Sequence, residues 1–139
     1  MTTVLAFGTF DLLHPGHLSY LKQAKKLGDR LVVIVATDAN VKRIKGKKPV
    51  NDQKHRKELV AELKIVDEVF VGFEDDMIKS VEKVNPDIVA LGYDQNPSDE
   101  KIRKIFEERG IKARIVRMKP YKENEYKSSK IKERAKKHV

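Results

Sequence analysis

The sequence predicts an α/β protein, a single Rossmann-like doubly wound parallel sheet of about five strands with helices on both faces. Three observations point there. Short runs rich in β-branched residues alternate with segments of helical period along all 139 residues. The strand candidates are apolar at successive positions, the pattern of strands buried on both faces. No repeat, low-complexity tract or linker interrupts the alternation, so residues 1–139 read as one domain.

The elements follow in order. Residues 4–7 form the first strand, and the Leu18, Leu21, Ala24 spacing predicts a helix behind it. Residues 31–36 are a second strand and 53–64 a helix. A short third strand, 69–71, precedes a helix over 77–84. Asn85-Pro86-Asp87 introduces a fourth strand at 88–91. A helix over 100–109, stopped by Gly110, and a fifth strand at 113–116 complete the sheet. A basic C-terminal helix begins at about residue 128, where Ser128 or Ser129 can cap it.

Composition excludes several classes. The absence of cysteine removes disulfides, thiolate metal sites and cysteine nucleophiles. The longest apolar run, 31–36, falls far short of the ~20 residues that span a bilayer. A cytoplasmic protein with no membrane partner is expected. Thirty Lys and Arg against 21 Asp and Glu give a charge of +9, which attracts phosphorylated molecules and other polyanions.

The chemistry sits directly after the first strand, in Gly8-Thr9-Phe10-Asp11-Leu12-Leu13-His14-Pro15-Gly16-His17. Ligands of wound sheets bind beyond the C-terminal strand ends, where strand order reverses. Gly8 permits close approach, Pro15 suits a first helical turn, and Gly16 leaves amides and the positive dipole end open to an anion. His14 and His17 stand three residues apart, on one side of that helix start. Such imidazoles can donate hydrogen bonds and, when protonated, charge to a transferring phosphoryl group. They could otherwise merely cap the helix. No third ligand stands nearby to make a zinc site.

Other candidates surround this motif. Asp11 can orient a histidine or a metal ion, or stabilise the turn. Asp94, after the fourth strand, is placed to accept from a ribose or base, or to make a turn. Lys42, Arg43, Lys45, Lys47 and Lys48 read as a mobile basic loop able to close over phosphates. Tyr121 can stack on a nucleobase or pack its loop.

The motif resembles the HxGH nucleotidyltransferases, and Gly-Thr-Phe-Asp-Leu-Leu-His-x-Gly-His is similar to their cytidylyltransferase-type branch. That branch includes glycerol-3-phosphate cytidylyltransferases and archaeal FAD synthases. Gly92-Tyr93-Asp94-Gln95 and Met118-Lys119-Pro120-Tyr121-Lys122 are more similar to the latter. The resemblance implies transfer of AMP from ATP to FMN, giving FAD and pyrophosphate, with Mg2+ or another divalent cation accompanying ATP. It implies that Thr9 and Phe10 contact the triphosphate through backbone or hydroxyl groups, and that His14 and His17 grip its phosphates. Arg56 matches an arginine that holds the acceptor phosphate, and is otherwise an exposed helix arginine. Lys127-Ser128-Ser129-Lys130 resembles the serine-threonine signature before the last helix, with lysine in place of the leading hydroxyl residue. A homodimer is implied, with no obligatory nucleic acid. The alternative within the branch joins CTP to glycerol 3-phosphate or another polyol phosphate. The alternative of another class is a non-catalytic nucleotide- or nucleic-acid-binding protein.

Overall fold

The computed structural model describes residues 1–95 and 98–120. Five parallel strands, β1 (Thr3–Gly8), β2 (Arg30–Val35), β3 (Glu68–Val71), β4 (Ile88–Leu91) and β5 (Arg114–Arg117), lie in the order β3-β2-β1-β4-β5. The chain winds outward from β1 to β2 and β3, then returns to β1's other side for β4 and β5. Strand order therefore reverses between β1 and β4, and a crevice opens beyond their C-terminal ends.

The central strands carry consecutive apolar residues because alternate positions serve two cores. On one face Val4, Ala6, Leu31, Val33, Val35 and Ala90 pack with Leu21 and Ala24 of helix α1 (Pro15–Lys25). On the other, Leu5, Val32, Ile34, Val89 and Leu91 meet Val81, Ile102 and Phe106. Two further helices supply those last contacts, numbered α4 (Met77–Val84) and α5 (Asp99–Glu108) in chain order.

Two helices lie between β2 and β3. The second, α3 (Gln53–Ala61), is capped by Asp52 and packs Val60 into the first core. The first, α2 (Asp38–Lys45), corrects the sequence reading of a mobile basic loop. Thr37 accepts the Asn40 N–H as N-cap, and Gly46 closes the helix in the left-handed region at φ 80°. Lys42, Arg43 and Lys45 line its last turn, where cations complement the negative dipole end. The helix escaped notice because its apolar signal is only Val41 and Ile44, of which Ile44 is 75% exposed. The C-terminal helix expected from about residue 128 lies outside the described residues. None of the described helices is long and apolar enough to cross a membrane.

Candidate active site

The motif after β1 folds into a strained and tightly held turn. Phe10 and Leu12 both adopt positive φ, 53° and 56°, a region that costs a non-glycine residue about 1–3 kcal/mol. The turn persists because its neighbours fix it. The Phe10 ring is buried at 2% exposure and stacks on Tyr20 with centroids 6.3 Å apart. That ring folds back over Gly8, where an added Cβ would stand 3.2 Å from two of its carbons. Gly8 thus makes room for Phe10 itself. Only the backbone of Phe10 is left to meet a ligand.

His14 and His17 form a capping box in which imidazoles replace the usual hydroxyl and carboxamide. The Gly16 N–H donates to Nδ1 of His14 at 3.0 Å, and the His14 N–H donates to Nδ1 of His17 at 3.2 Å. With each Nδ1 accepting, a neutral ring carries its proton on Nε2 and can donate there. The rings lie 3.9 Å apart, centroid to centroid. Burial lowers the pKa of His14. Burial, then repulsion from His14 and Lys45, lowers that of His17 to about 4, against a smaller opposing pull from Asp11.

Two sequence expectations change accordingly. The lowered pKa values leave both imidazoles neutral at neutral pH, so positive charge near them comes from lysine and the helix dipole. The helix tip is also less bare than the glycine suggested. Pro15 has no N–H, the Gly16 N–H is held by His14, and the Leu18 N–H bonds the His14 carbonyl at 3.2 Å.

Asp11 is 9% exposed, and its carboxylate accepts the Val50 N–H at 2.6 Å and the Asn51 N–H at 2.9 Å. It is a clamp on the segment entering α3, in keeping with the turn-stabilising alternative. For Arg56 the exposed reading is corrected: its side chain is 0% exposed. Nε donates to the Asn51 carbonyl at 2.9 Å, one terminal nitrogen to the Thr9 carbonyl at 2.8 Å, and the other to Asp38 at 2.7 Å. One guanidinium thereby ties the turn after β1, the entry to α3 and the start of α2. Thr9 is half-buried, with its carbonyl committed to that bond.

The β4 side of the crevice is closed by residues that sequence reasoning passed over. The buried hydroxyl of Tyr20 donates to the Ala90 carbonyl at 2.6 Å and accepts the Phe7 N–H at 3.2 Å, bridging the two strands where they part. Burial pushes its pKa up. Gln95 donates to the Phe7 carbonyl at 2.5 Å and accepts the Gly92 N–H at 2.8 Å. Arg117 donates to the carbonyls of Gly92 and Gln95, at 2.6 and 2.7 Å, and pairs with Asp99. Asp94 stands exposed on the turn thus built, at the same sheet edge as the histidines.

On the β2 side, Lys45 ends α2 close enough to His17 to depress its pKa, while Lys47 is exposed just beyond Gly46. Tyr121, Ser128 and Ser129 lie outside the described residues.

Comparison with known proteins bears on this arrangement. A family model described as "Cytidylyltransferase-like" matches residues 5–134. An FAD synthase of Ferroglobus placidus is 49% identical over 129 residues, 93% of this chain and 84% of the relative. An FAD synthase of Thermoplasma acidophilum is 44% identical over 96% of this chain and 94% of its own. Among solved structures, a Thermoplasma volcanium protein called a lipopolysaccharide core biosynthesis protein superposes with a TM-score of 0.83 at 47% identity, covering 87% of this chain and 98% of that one. A pantoate-beta-alanine ligase from Francisella tularensis, with TM-score 0.60 and 17% identity over 97% of this chain and 69% of its own, shares the fold.

Proposed function

The chain belongs to the cytidylyltransferase-like family, and from that premise we propose that it is a nucleotidyltransferase transferring AMP from ATP to FMN. The products are FAD and pyrophosphate. The observation that carries the chemistry is the histidine pair, whose Nδ1 atoms are tied to backbone N–H groups so that both Nε2–H groups remain for phosphate oxygens.

In the reaction an oxygen of the FMN phosphate attacks the α-phosphorus of ATP, and the bond from that phosphorus to the bridging oxygen breaks opposite it. Pyrophosphate leaves with the bonding electrons. His14 and His17 donate to the phosphate oxygens as negative charge grows there, and Lys45 and the α1 dipole add positive potential. Bound triphosphate raises the histidine pKa values, strengthening that interaction as the site fills. No nucleophilic side chain takes part. Thr9, the Phe10 backbone, Pro15 and Gly16 shape the phosphate site, with Tyr121, Ser128 and Ser129 assigned to the nucleotide by resemblance. Asp94 is assigned to the adenosine on the β4 side.

Mg2+ or another divalent cation neutralises phosphate charge in such reactions. No group of three histidine or acidic side chains able to hold a metal occurs among the described residues, and Asp11 is engaged with Val50 and Asn51. A divalent ion would therefore enter on the triphosphate. A homodimer in the cytoplasm is the expected form.

A pyrophosphate-release screen crossing ATP and CTP with FMN and glycerol 3-phosphate tests the reading. Turnover only with ATP and FMN supports it. Turnover with CTP and a polyol or sugar phosphate supports the second reading.

A further inference from the structure

A cavity of about 460 Å³ opens at the C-terminal ends of β2 and β3, between α3 and α4. It does not include the histidines. Its size lies within the ~300–1,000 Å³ range of small-molecule sites. Two aromatic rings, Phe70 and Phe73, line it, and the Lys83 ammonium stands over both at 5.5 and 5.8 Å from their centroids. Lys57 and Gln53 reach it from α3, and Ser80 from α4. The Ser80 hydroxyl accepts the Phe73 N–H at 3.2 Å, which fixes the loop carrying that ring. Gln53 accepts the Asp38 N–H through its carbonyl oxygen at 2.9 Å, so the donor end of its amide is what it offers a ligand.

The geometry points to this cavity as the seat of the acceptor's isoalloxazine ring, a reading that rests on FMN being the acceptor. In-line displacement brings attacking and leaving groups to opposite sides of the α-phosphorus. The acceptor therefore enters opposite the departing pyrophosphate, while the nucleoside stays on the α-phosphorus. On the β4 side Gln95 and Arg117 brace the compact turn that carries Asp94, assigned above to the adenosine, which leaves the acceptor the β2–β3 side with its open cavity. Neighbouring strands are about 4.8 Å apart, which sets the cavity roughly one to two strand spacings from the end of β1. A ribityl chain bridges that gap between a ring seated here and a phosphate at the histidines.

The chemistry of the lining matches the ring. Isoalloxazine is flat and apolar over its benzenoid end, and its pyrimidine edge carries two carbonyl acceptors. Phe70 and Phe73 suit the former. The Lys57 and Lys83 ammonium groups and the Gln53 amide supply donors and positive charge for the latter. The cavity is also coupled to the catalytic turn: Gln53 bonds Asp38, Asp38 pairs with Arg56, and Arg56 holds the Thr9 carbonyl. A ring bound here therefore presses on a wall that shares its support with the phosphate site.

The test uses Phe73→Ala and Lys57→Glu in the full chain. Phe73 is 39% exposed and Lys57 is exposed, so both variants keep the fold, which an unchanged unfolding midpoint verifies. Each variant is expected to raise KM for FMN about tenfold while KM for ATP stays within about twofold. Riboflavin, which has the ring but no phosphate, should lose potency as a competitor of FMN by a similar factor in Phe73→Ala. Unshifted FMN constants in both variants, with normal wild-type turnover of ATP and FMN, overturn the cavity assignment alone. A rise in KM for ATP instead overturns it by placing the nucleoside here. Failure of the wild type to turn over FMN overturns the acceptor itself, and the ring's seat with it.

Discussion

Replacing Arg56 by methionine separates two roles that the same residue could hold. If it is the support seen in the structure, its loss is a stability defect. The guanidinium is 0% exposed and bonds the Thr9 and Asn51 carbonyls and the Asp38 carboxylate. Methionine keeps much of the stem's packing and removes all three bonds. Each of the two part-buried carbonyls left without a donor costs about 1–2 kcal/mol, the lower part of the range for a buried group. Asp38 is 40% exposed, so water can resolvate it, and its share is nearer 1 kcal/mol. The total is roughly 3–5 kcal/mol, in line with removing one partner of a buried pair. For a chain of this size that lowers Tm by roughly 10–15 °C. Arg56→Lys should recover only the Asp38 part, because an ammonium lacks the planar fork that reaches three acceptors. Thermal unfolding and steady-state kinetics are measured together. An unchanged Tm with KM for FMN raised about tenfold would refute the structural argument and restore the acceptor-phosphate role.

Two further perturbations bear on the same turn. His17 has its folded pKa lowered from 6.5 to about 4, so the unfolded chain takes up the proton first as pH falls. Its contribution to stability is therefore complete above pH 6.5 and is lost between there and pH 4, on the order of 2–3 kcal/mol after allowance for partial exposure. Urea midpoints of wild type and His17→Gln should converge toward acid pH, and parallel curves would contradict the burial assigned to His17. Asp11→Asn leaves one acceptor oxygen for two amides, so Val50 or Asn51 should exchange its amide hydrogen about tenfold faster. Unchanged protection with altered metal dependence would instead make Asp11 a ligand.

The fold was legible because its signals are local and redundant. Strands such as Leu31 to Val35 are apolar at every position, which leaves a parallel sheet covered on both faces as the consistent solution. Helix α2 was not legible, since Val41 is its one fully buried apolar residue and lysines fill the rest of its last turn. Its signals were Thr37 three residues before Asn40 and Gly46 at the end, a capping pattern without a hydrophobic stripe. In the site, the histidines were found from their spacing after a strand. Arg56 and Asp11 were named, but the backbone groups that they hold were not. A motif marks which residues matter, whereas some of the partners lie as far as 39 to 47 residues away in sequence. Tyr20 carried no local signal at all and Gln95 only its place in a motif, because their work is to plug the parting of β1 and β4, a feature of topology.

That histidine occupies both capping positions of α1 has a consequence for how the site is dissected. A serine or aspartate at an N-cap spends its one functional group on the helix. Imidazole has two nitrogens, so Nδ1 of His14 can accept the Gly16 N–H while the ring proton sits on Nε2. In the proposed reaction, capping and phosphate binding would draw on opposite ends of one ring. His14→Asn keeps a strong N-cap and removes the distal donor, whereas His14→Ala removes both. The asparagine variant should unfold within about 0.5 kcal/mol of wild type and the alanine variant about 1 kcal/mol lower. Both should lose on the order of 10²–10³ in kcat, the usual cost of deleting one donor aimed at developing charge. Wild-type turnover in His14→Asn would mean that capping is all that His14 does, and the phosphate grip would then have to rest on His17 and Lys45.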